Sequence, residues 1–407
     1  MERIRDSIDM RVMILNGNVS GGGAAQIAHA IYEGEKENGL EVFFVAGWGK
    51  KEQSADLVIG KNICLKIMHA IRREIHGGVC YSNPYAVRKI LDFIDRNKID
   101  LVHIHNIANN YIGIKDVAVI ASKYPVVWTL HEMWSFTGHC GHSFECEEWK
   151  TGCLKCKNLR FLPQINRNCT AKVWKEKRRS FTNKNICFVT PSKWLENKVR
   201  KSFLKNEKII TINNGIEFGS ITKKYSCDSD NVLKILFVAG NINNPYKGLD
   251  IVEKALEIVD VPQCIKINIM GEGRLSDRIN DKYSITYYGL VSEKEKKEEV
   301  YASSDLLLIP SKQENFPTVI LEAFACGLPA IGSNVGGISE IITEDCGWVM
   351  KENTPDELSN ILKNILKDRR SLKIKGENCS KRFKEEYQLH KMINAYVNLY
   401  REVLDNV

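Results

Sequence analysis

A recurring order of strand, glycine turn and helix limits how this chain can fold more than any other feature of its sequence. The apolar run Arg11–Asn16 leads into three glycines at 21–23, a segment with helical apolar spacing at 24–38, and a second apolar run at Glu41–Ala46. A strand, a helix and a strand in this order make a βαβ unit, and such units build parallel sheets. The same order continues along the chain and starts afresh at Leu233. The pattern predicts an α/β fold.

Two series of such units predict two domains, because 407 residues are too many for one typical hydrophobic core. We expect each domain to be a doubly wound, Rossmann-like sheet that binds ligands at the carboxyl ends of its strands. The polar segment Tyr225–Asn231 indicates a linker, which gives an N-terminal domain over 1–225 and a C-terminal domain over 226–388. The predicted strands are 11–16, 41–46, 101–105, 126–130, 186–190, 209–212, 233–239, 265–270, 286–288, 306–310 and 329–333.

The composition is that of a globular protein, with 43% hydrophobic and 27% charged residues. No apolar run is long enough to span a bilayer, and the segment Met1–Arg11 lacks the apolar core of a signal peptide. The 13 cysteines cannot all pair with one another, which favours a reducing compartment. We therefore expect a cytoplasmic protein.

The net charge of +8 hides an asymmetry. Residues 1–228 hold 35 Lys+Arg against 23 Asp+Glu, and residues 150–208 alone hold 17 basic residues against three acidic ones. Within this basic stretch, Lys172–Arg179 and Lys193–Lys205 mix apolar side chains with lysines, a pattern typical of surfaces that bind anionic membranes. The apolar side chains concerned are Trp174, Trp194, Leu195, Phe203 and Leu204. A phosphorylated acceptor and a nucleic acid are the other anionic partners to consider, and plain solvation of helix faces is the alternative.

A helix start follows the predicted strand Leu306–Pro310. Pro317 suits the first helical position, where the missing N–H is not needed. The backbone N–H groups of Thr318 and Val319 then point away from the positive end of the helix. This is an anion site that fits a diphosphate.

Glu314 and Glu322 flank this helix start, with seven residues between them. Carboxylates can hold sugar and ribose hydroxyls, although two glutamates at this spacing alone would also suit a solvated helix. Within the full stretch 311–337, SKQENFPTVILEAFACGLPAIGSNVGG, the pair resembles the signature of the retaining family 4 glycosyltransferases. Those enzymes have the two-domain GT-B fold, in bacteria often for capsule, O-antigen or exopolysaccharide synthesis. The resemblance implies that Glu314 contacts the donor sugar and Glu322 the nucleotide ribose.

The resemblance extends along the chain and implies further donor contacts. Val238–Gly240 followed by Lys247 looks like the family's strand, loop and phosphate-binding lysine, which with Glu314 would be catalytic. Many members carry an arginine about five residues before this lysine. The loop 241–246 has none, so Lys247 acts alone or with Arg274. The implied donor-binding residues are Gly22, Gly23, Gly240, Lys247, Gly271, Arg274, Leu290, Glu314, Asn315, Phe316, Pro317, Thr318, Val319 and Glu322.

Three histidines lie in or after predicted strands of the first domain. His131 follows the strand 126–130, and the resemblance makes it the family's catalytic histidine near the donor sugar. A histidine at a strand end can equally be a structural residue. His103 and His105 share one face of their strand. Two such histidines can bind a metal ion, but no carboxylate stands at ligand spacing, so we expect packing and acceptor contacts.

Four cysteines, Cys140, Cys146, Cys153 and Cys156, lie within 17 residues. Four thiolates ending in a C-x-x-C pair can form a closed, tetrahedral zinc site, which would be structural rather than catalytic. Unrelated buried thiols, or disulfides formed on purification, are the alternatives. A related insertion occurs in some bacterial members of the family that this chain resembles.

The sequence thus predicts a retaining glycosyltransferase that needs no catalytic metal. Its partners would be a nucleotide-sugar donor, a glycan or lipid-linked acceptor and an anionic membrane surface at the inner face of the cell membrane, with no nucleic acid. The helix at about 389–407 would pack back on the first domain, as in the family. The alternatives are a sugar-nucleotide epimerase of the same fold and a zinc-stabilised nucleic-acid-binding protein.

Overall fold

The computed structural model describes residues 10–49, 55–60, 81–108, 111–219 and 232–406. The chain divides into two compact units. The first unit is formed by residues 1–213 with 392–407, and the second by residues 214–391. The predicted linker Tyr225–Asn231 lies outside the described residues.

A parallel sheet forms the centre of the first unit. Its described strands are β1 (Arg11–Asn18), β2 (Glu41–Trp48), β3 (Leu57–Val58), β4 (Leu101–Ile104), β5 (Val126–Thr129), β6 (Ile186–Thr190) and β7 (Lys208–Thr211). They lie in the order β3-β2-β1-β4-β5-β6-β7, and Val12 of β1 pairs with Val42 of β2 and Leu101 of β4. The strand order reverses between β1 and β4. Doubly wound sheets bind their ligands at the carboxyl ends of the strands beside such a reversal.

Helices connect these strands. They are α1 (Gly23–Glu37), α2 (Pro84–Asn97), α3 (Ile114–Ala121), α4 (Thr170–Phe181) and α5 (Lys193–Val199), with 3-10 turns at Trp134–Phe136 and Glu148–Lys150. Side-chain caps fix the N-terminal ends of two of these helices. Asn83 accepts a hydrogen bond from Ala86 N at α2, where Pro84 occupies the first helical position, and Ser192 accepts one from Leu195 N at α5.

The second unit holds another parallel sheet. Its described strands are β8 (Leu233–Asn241), β9 (Ile265–Glu272), β10 (Ser284–Gly289), β11 (Leu306–Ile309), β12 (Ala330–Ser333) and β13 (Gly347–Met350), in the order β10-β9-β8-β11-β12-β13. The strand order reverses between β8 and β11. The described helices are α6 (Leu249–Val259), α7 (Asp277–Asn280), α8 (Lys294–Ala302), α9 (Thr318–Ala325), α10 (Ile338–Ile341), α11 (Pro355–Lys367) and α12 (Arg370–Arg382), with a 3-10 turn at Pro262–Cys264 and a π-helical turn at Phe383–Tyr387.

The last helix, α13 (Leu389–Asp405), belongs to the first unit from Met392 onward. Its apolar side chains recur with helical spacing and are buried, as the sequence pattern predicts. They are Met392, Ile393, Tyr396, Leu399 and Val403.

The α/β prediction is confirmed, and each predicted strand is present with its ends displaced by no more than two residues. Two short strands, β3 and β13, were not predicted. The observed strands of both sheets are parallel to their neighbours, and helices make most of the crossovers between successive strands.

The apolar part of the predicted membrane-binding surface lies in the core instead. Trp174, Leu195 and Leu204 are buried, and Trp194 and Phe203 are half-buried against the core of the first unit. Packing in the core removes these apolar side chains from water, so they do not need a bilayer. For these side chains the structure favours the alternative, in which they belong to the core, and binding of the basic stretch to an anionic membrane stays a prediction.

One lysine of the basic stretch is also in the interior. Lys177 is completely buried, and its amine donates hydrogen bonds to the carbonyl oxygens of Trp134 and Thr137. Burial lowers the pKa of Lys177 to about 7. This residue is part of the fold and adds nothing to a basic surface.

In the part of the chain that the structure describes, no helix is long and apolar enough to cross a bilayer.

Candidate functional site

Lys247 and Glu314 meet where the strand order of the second sheet reverses. Lys247 lies in the loop after β8, and Glu314 lies in the loop after the neighbouring strand β11. Lys247 Nζ is 2.7 Å from Glu314 Oε1, and the two side chains are 32% and 14% exposed. A carboxylate partner at this distance holds the lysine amine in place by a charge-assisted hydrogen bond. Two of the three predicted catalytic residues are thus in contact.

A glycine in the next loop keeps the Glu314 loop in place. Gly336 has φ of 62°, a conformation that glycine adopts without strain, and a Cβ there would lie 2.0 Å from the carbonyl oxygen of Glu314. Its neighbour Gly337 donates a backbone hydrogen bond to Asn315 O at 2.6 Å. Any side chain at residue 336 would push the Glu314 loop away.

Helix α9 starts four residues after Glu314. It begins at Thr318, and Pro317 precedes it in an extended conformation with ψ of 121°. The prediction that Pro317 is the first helical residue is therefore wrong by one position. The N–H groups of Thr318 and Val319 belong to the first turn and have no partner within the helix. They supply donors and the positive end of a helix dipole beside the Lys247–Glu314 pair.

Glu322, inside α9, is held by two side chains of the preceding helix α8. The hydroxyl of Tyr301 donates to Glu322 Oε2 at 2.5 Å, and Lys297 Nζ lies 3.8 Å from Oε1. Burial raises the pKa of the Glu322 carboxyl above its usual range, and Lys297 and Tyr301 oppose that rise. The carboxyl therefore has a fixed orientation, as a residue that binds a hydroxyl needs.

Arg274, the predicted cationic partner of Lys247, contacts Tyr287. Arg274 is exposed, and its guanidinium lies over the ring of Tyr287, 5.5 Å from the ring centre. Asn243 holds the Arg274 backbone by two hydrogen bonds, of 2.9 and 3.1 Å. These contacts hold Arg274 at Tyr287 and Asn243, and the role of Lys247, alone or with Arg274, stays a prediction.

The remaining predicted donor residues of the second unit differ in accessibility. Gly240 and Leu290 are exposed, whereas Asn315 and Phe316 are buried. The Phe316 ring packs against Tyr387, so this residue could contact a donor only through its backbone.

Gly271 has a structural explanation. A Cβ at this position would lie 1.6 Å from the carbonyl oxygen of Ala239, so the close approach of β8 and β9 requires a glycine. The resemblance assigned this glycine to a nucleotide loop.

In the first unit, the predicted glycine loop is open. Gly22 caps α1, and Gly23 is the first residue of that helix. No atom lies within 4 Å of a Cβ built on either residue. The loop lies at the carboxyl end of β1, beside the reversal of the strand order.

His131 lies just after β5 and contacts a second histidine. Its Nε2 is 2.9 Å from Nδ1 of His105, which follows β4, and the two rings are stacked with centres 5.3 Å apart. Burial lowers the pKa of His131 to about 4 and that of His105 well below its usual range. Both rings are therefore neutral at pH 7, and each can act as both hydrogen-bond donor and acceptor. His103 and His105 lie on one face of their strand, as predicted, with ring centres 4.2 Å apart.

A buried polar chain that the sequence did not reveal connects α1, the sheet and α13. Tyr396 and Thr129 hydroxyls are 2.8 Å apart, and Thr129 Oγ1 is 2.8 Å from His103 Nε2. His103 Nδ1 is 2.6 Å from the hydroxyl of Tyr400, which donates to Glu35 Oε1 at 2.8 Å. In the sequence, the one indication of this buried chain of hydrogen bonds is Glu35, an acidic residue one helical turn after Ile31, which is buried.

The four clustered cysteines lie in the segment after the 3-10 turn at Trp134–Phe136. All four are free thiols, and among the described residues no three His, Cys, Asp or Glu side chains are grouped so as to hold a metal ion. Gly138 N donates to Cys153 Sγ at 3.1 Å, and Cys156 Sγ lies 3.5 Å from His139 Nε2. Burial raises the pKa of Cys140 to about 11 and that of Cys153 to about 12, which favours thiols over the thiolates that zinc binds. The four thiols are close enough for Cys140 to interact electrostatically with Cys146 and Cys156, and Cys153 with Cys140 and Cys146, so the zinc site stays a prediction.

Two family models match the chain. The model described as Glycosyltransferase Family 4 matches residues 21–219, and the model described as Glycosyl transferases group 1 matches residues 233–368. The chain is also 24% identical over 420 residues to the putative colanic acid biosynthesis glycosyl transferase WcaC of Escherichia coli, across 97% of this chain and 100% of the relative.

Solved structures share the fold. Sucrose-phosphate synthase from Thermosynechococcus elongatus matches with a TM-score of 0.72 at 15% identity, over 98% of this chain and 100% of that chain. HepE of Anabaena in complex with UDP-glucose matches with a TM-score of 0.65 at 13% identity, over 97% of this chain and 100% of that chain. At such identities the likeness shows the GT-B fold alone.

The family matches leave the nucleic-acid-binding alternative without support, and they agree with the residues that suggested a sugar transferase. This chain is an enzyme that belongs to the GT-B glycosyltransferases, with a family 4 region over its first half and a group 1 region over its second.

Proposed function

We propose that the enzyme moves a sugar from a nucleotide-sugar donor to a glycan or lipid-linked acceptor, with retention of anomeric configuration, in bacterial surface polysaccharide synthesis. The observation that carries this proposal is the Lys247–Glu314 ion pair beside the first turn of α9. A fixed positive charge next to free helix amides suits a diphosphate, which is the part shared by all nucleoside-diphosphate sugars.

In the proposed reaction, the bond between the sugar C1 and the diphosphate oxygen breaks, and its electron pair leaves with the diphosphate. The acceptor oxygen forms the new bond to C1 on the same face, and its proton passes to the leaving diphosphate. Lys247 and the amides of Thr318 and Val319 stabilise the negative charge that develops there. Glu314 and Glu322 hold hydroxyls of the sugar and the ribose by charge-assisted hydrogen bonds.

The relatives support the substrate class. WcaC is named for colanic acid biosynthesis, and the HepE structure contains UDP-glucose. Association with a membrane is proposed on the basis of exposed basic side chains alone. The exposed side chains Lys172, Lys175, Arg178 and Arg179 of α4 support a cytoplasmic enzyme that associates with the anionic inner face of the cell membrane beside its acceptor.

A donor screen tests the proposal. Purified enzyme is given a panel of nucleoside-diphosphate sugars with polysaccharide-precursor acceptors, and release of nucleoside diphosphate is measured. Proton NMR of the product, recorded before mutarotation, then gives the anomeric configuration. Release with a defined donor and a product of the same anomeric configuration is expected. A product of inverted configuration would refute retention, and the absence of release with every donor would refute the nucleotide-sugar assignment.

The two glutamates should differ in the kinetic step that they affect. We expect Glu322→Ala to weaken donor binding and Glu314→Ala mainly to slow turnover, by about tenfold or more each, because each loses a hydrogen bond to a charged group. Steady-state kinetics with varied donor separate KM from kcat. Glu299→Ala, at an exposed position of α8, is the control and should behave like the wild type. Wild-type kinetics in both site variants would remove Glu314 and Glu322 from the donor site.

Activity should also survive removal of divalent metal ions. Lys247 and the α9 amides already supply positive charge at the proposed diphosphate position. An Asp-x-Asp triplet, which can bind a divalent ion together with phosphates, occurs at 228–230 but lies outside the described residues. Assays with and without EDTA should give equal rates. If EDTA abolishes activity and manganese or magnesium restores it, the proposed charge stabilisation by Lys247 is insufficient.

A further inference from the structure

A small cavity opens at the carboxyl ends of β4 and β5 in the first unit. It measures about 20 Å³, which is enough for one water molecule or one hydroxyl group. Its lining includes His105, Trp128, His131, Glu132, Trp134 and Ser135. His131 and Glu132 are partly exposed, so the cavity can be reached from solvent on that side.

Two buried polar atoms of the lining have no hydrogen-bond partner among the described residues. They are Nε2 of His105 and Oγ of Ser135, and the two residues are only 2% and 3% exposed. Buried polar groups are nearly always hydrogen-bonded in native proteins, so two unpaired groups around one cavity indicate that something polar belongs there.

Glu132 adds a carboxyl to the same lining. Its Oε2 lies against Gly141, where a Cβ would approach it to 2.2 Å, so the backbone opposite is shaped to admit the carboxyl. Burial raises the pKa of Glu132 to about 7. The charge of Lys177 opposes this rise, and a carboxyl with a perturbed pKa in a cavity is a candidate ligand-binding group.

We propose that this cavity is a subsite for one hydroxyl group of a carbohydrate substrate. The hydroxyl donates to Nε2 of neutral His105 and accepts from the hydroxyl of Ser135, while Glu132 contacts it or the adjacent hydroxyl at the rim. This assignment is consistent with the His105–His131 contact, because His105 can donate from Nδ1 to His131 Nε2 and keep Nε2 as an acceptor. The inference rests on the proposed function, and either the donor sugar or the acceptor sugar can supply the hydroxyl.

Three variants change the subsite in different ways. Ser135→Ala removes one hydrogen-bonding group, Ser135→Thr adds a methyl group that fills the cavity, and Glu132→Gln keeps the shape but removes the charge. Ser180→Ala is the control, since Ser180 is a buried serine of α4 outside the cavity lining. Circular dichroism establishes that each variant is folded. Glu132 is partly exposed, so Glu132→Gln is the variant that tests the proposal if the Ser135 variants fail to fold.

The first measurement is the KM for donor and for acceptor, each varied separately. Loss of one neutral hydrogen bond should raise one of the two KM values about fivefold in Ser135→Ala, and more in Ser135→Thr and Glu132→Gln, with the control unchanged. The substrate whose KM rises is the source of the hydroxyl. If neither KM changes in any folded variant, the cavity holds only water and the subsite is refuted.

The second measurement does not depend on activity, so it also applies if the donor screen fails. Nitrogen NMR of ¹⁵N-histidine-labelled protein reports the state of His105 Nε2 during titration with free hexoses and their methyl glycosides. A shift of the His105 signal in the wild type, absent in Ser135→Thr, supports the subsite. No shift with any of these sugars overturns it, whatever the outcome of the activity assays.

Discussion

Replacing Lys247 by methionine should slow sugar transfer by at least about a hundredfold while leaving the fold intact. The lysine ammonium is the fixed positive charge at the proposed diphosphate position, 2.7 Å from Glu314 Oε1. Removing a single preorganised donor from a developing negative charge typically costs a factor of 10² to 10³ in turnover, or roughly 3–4 kcal/mol. Methionine keeps most of the apolar stem, so the variant tests the charge rather than the packing.

Single-turnover kinetics with saturating donor measure this loss directly. Lys282→Met is the matched control, because Lys282 also forms an ion pair in the second unit, with Asp260 at 2.5 Å, and it precedes β10 at the opposite, amino end of the strands. The control should retain wild-type turnover. Turnover in Lys247→Met within a few fold of the wild type would show that the helix amides or another cation stabilise the leaving group without Lys247.

A second consequence follows from the same ion pair. Without Lys247, the carboxylate of Glu314 remains only 14% exposed and loses its ion-pair partner. A partly buried charge without a partner is destabilising. The double variant Lys247→Met with Glu314→Gln should therefore regain stability relative to the single variant, although it should regain no activity.

The fold could be predicted because its signals are local. Buried parallel strands such as Val126–Thr129 and Leu306–Ile309 are short apolar runs bounded by polar turns. The helices between them are recognised by apolar residues that recur at helical spacing. The strands that were missed lack this contrast. Leu57–Val58 is two residues long, and Gly347–Met350 begins with glycine and is only partly buried.

The second-unit site could be predicted because a short motif contains most of it. Glu314, Thr318 and Glu322 lie within nine residues, and the strand order places the Lys247 loop beside them. Details that depend on packing could not be predicted. The motif does not show that Arg274 turns toward Tyr287, or that Tyr301 and Lys297 hold Glu322.

The first-unit polar network was beyond sequence reasoning for a different reason. Tyr400 and Glu35 are 365 residues apart, and His103 and Tyr400 are 297 apart. Nothing local in the chain connects a tyrosine in the last helix with a glutamate in the first. Similarly, charge counting treated Lys177 as a surface residue, although its helical position beside Val173 and Trp174 points it into the core.

Replacing Glu35 by glutamine should change how the stability of the protein depends on pH. Glu35 is completely buried, and its Oε2 has no hydrogen-bond partner among the described residues. Burial raises its pKa from 4.5 to about 8, and the hydrogen bond from Tyr400 opposes this only in part. The folded protein therefore keeps a proton on Glu35 at neutral pH, whereas the unfolded chain has released it.

The sign of the effect follows from proton binding. Between about pH 4.5 and 8 the folded state binds one more proton than the unfolded state at this residue, so the free energy of unfolding falls as pH rises through that window. A tenfold change in the ionisation constant is worth about 1.4 kcal/mol, so the loss across this window is on the order of 5 kcal/mol. His103 and His131 act in the opposite direction below about pH 6.5, because their lowered pKa values make acid destabilising.

The difference between wild type and Glu35→Gln isolates the glutamate from the histidines, which both proteins share. Glutamine can still accept the Tyr400 hydrogen bond and never ionises. Urea unfolding at a series of pH values should show the variant gaining stability relative to the wild type by several kcal/mol between about pH 5 and pH 8. Glu33→Gln, at an exposed position of the same helix, should run parallel to the wild type. A difference between wild type and Glu35→Gln that stays constant with pH would mean that Glu35 is ionised in the folded protein, and that Tyr400 and His103 stabilise a buried carboxylate rather than a carboxylic acid.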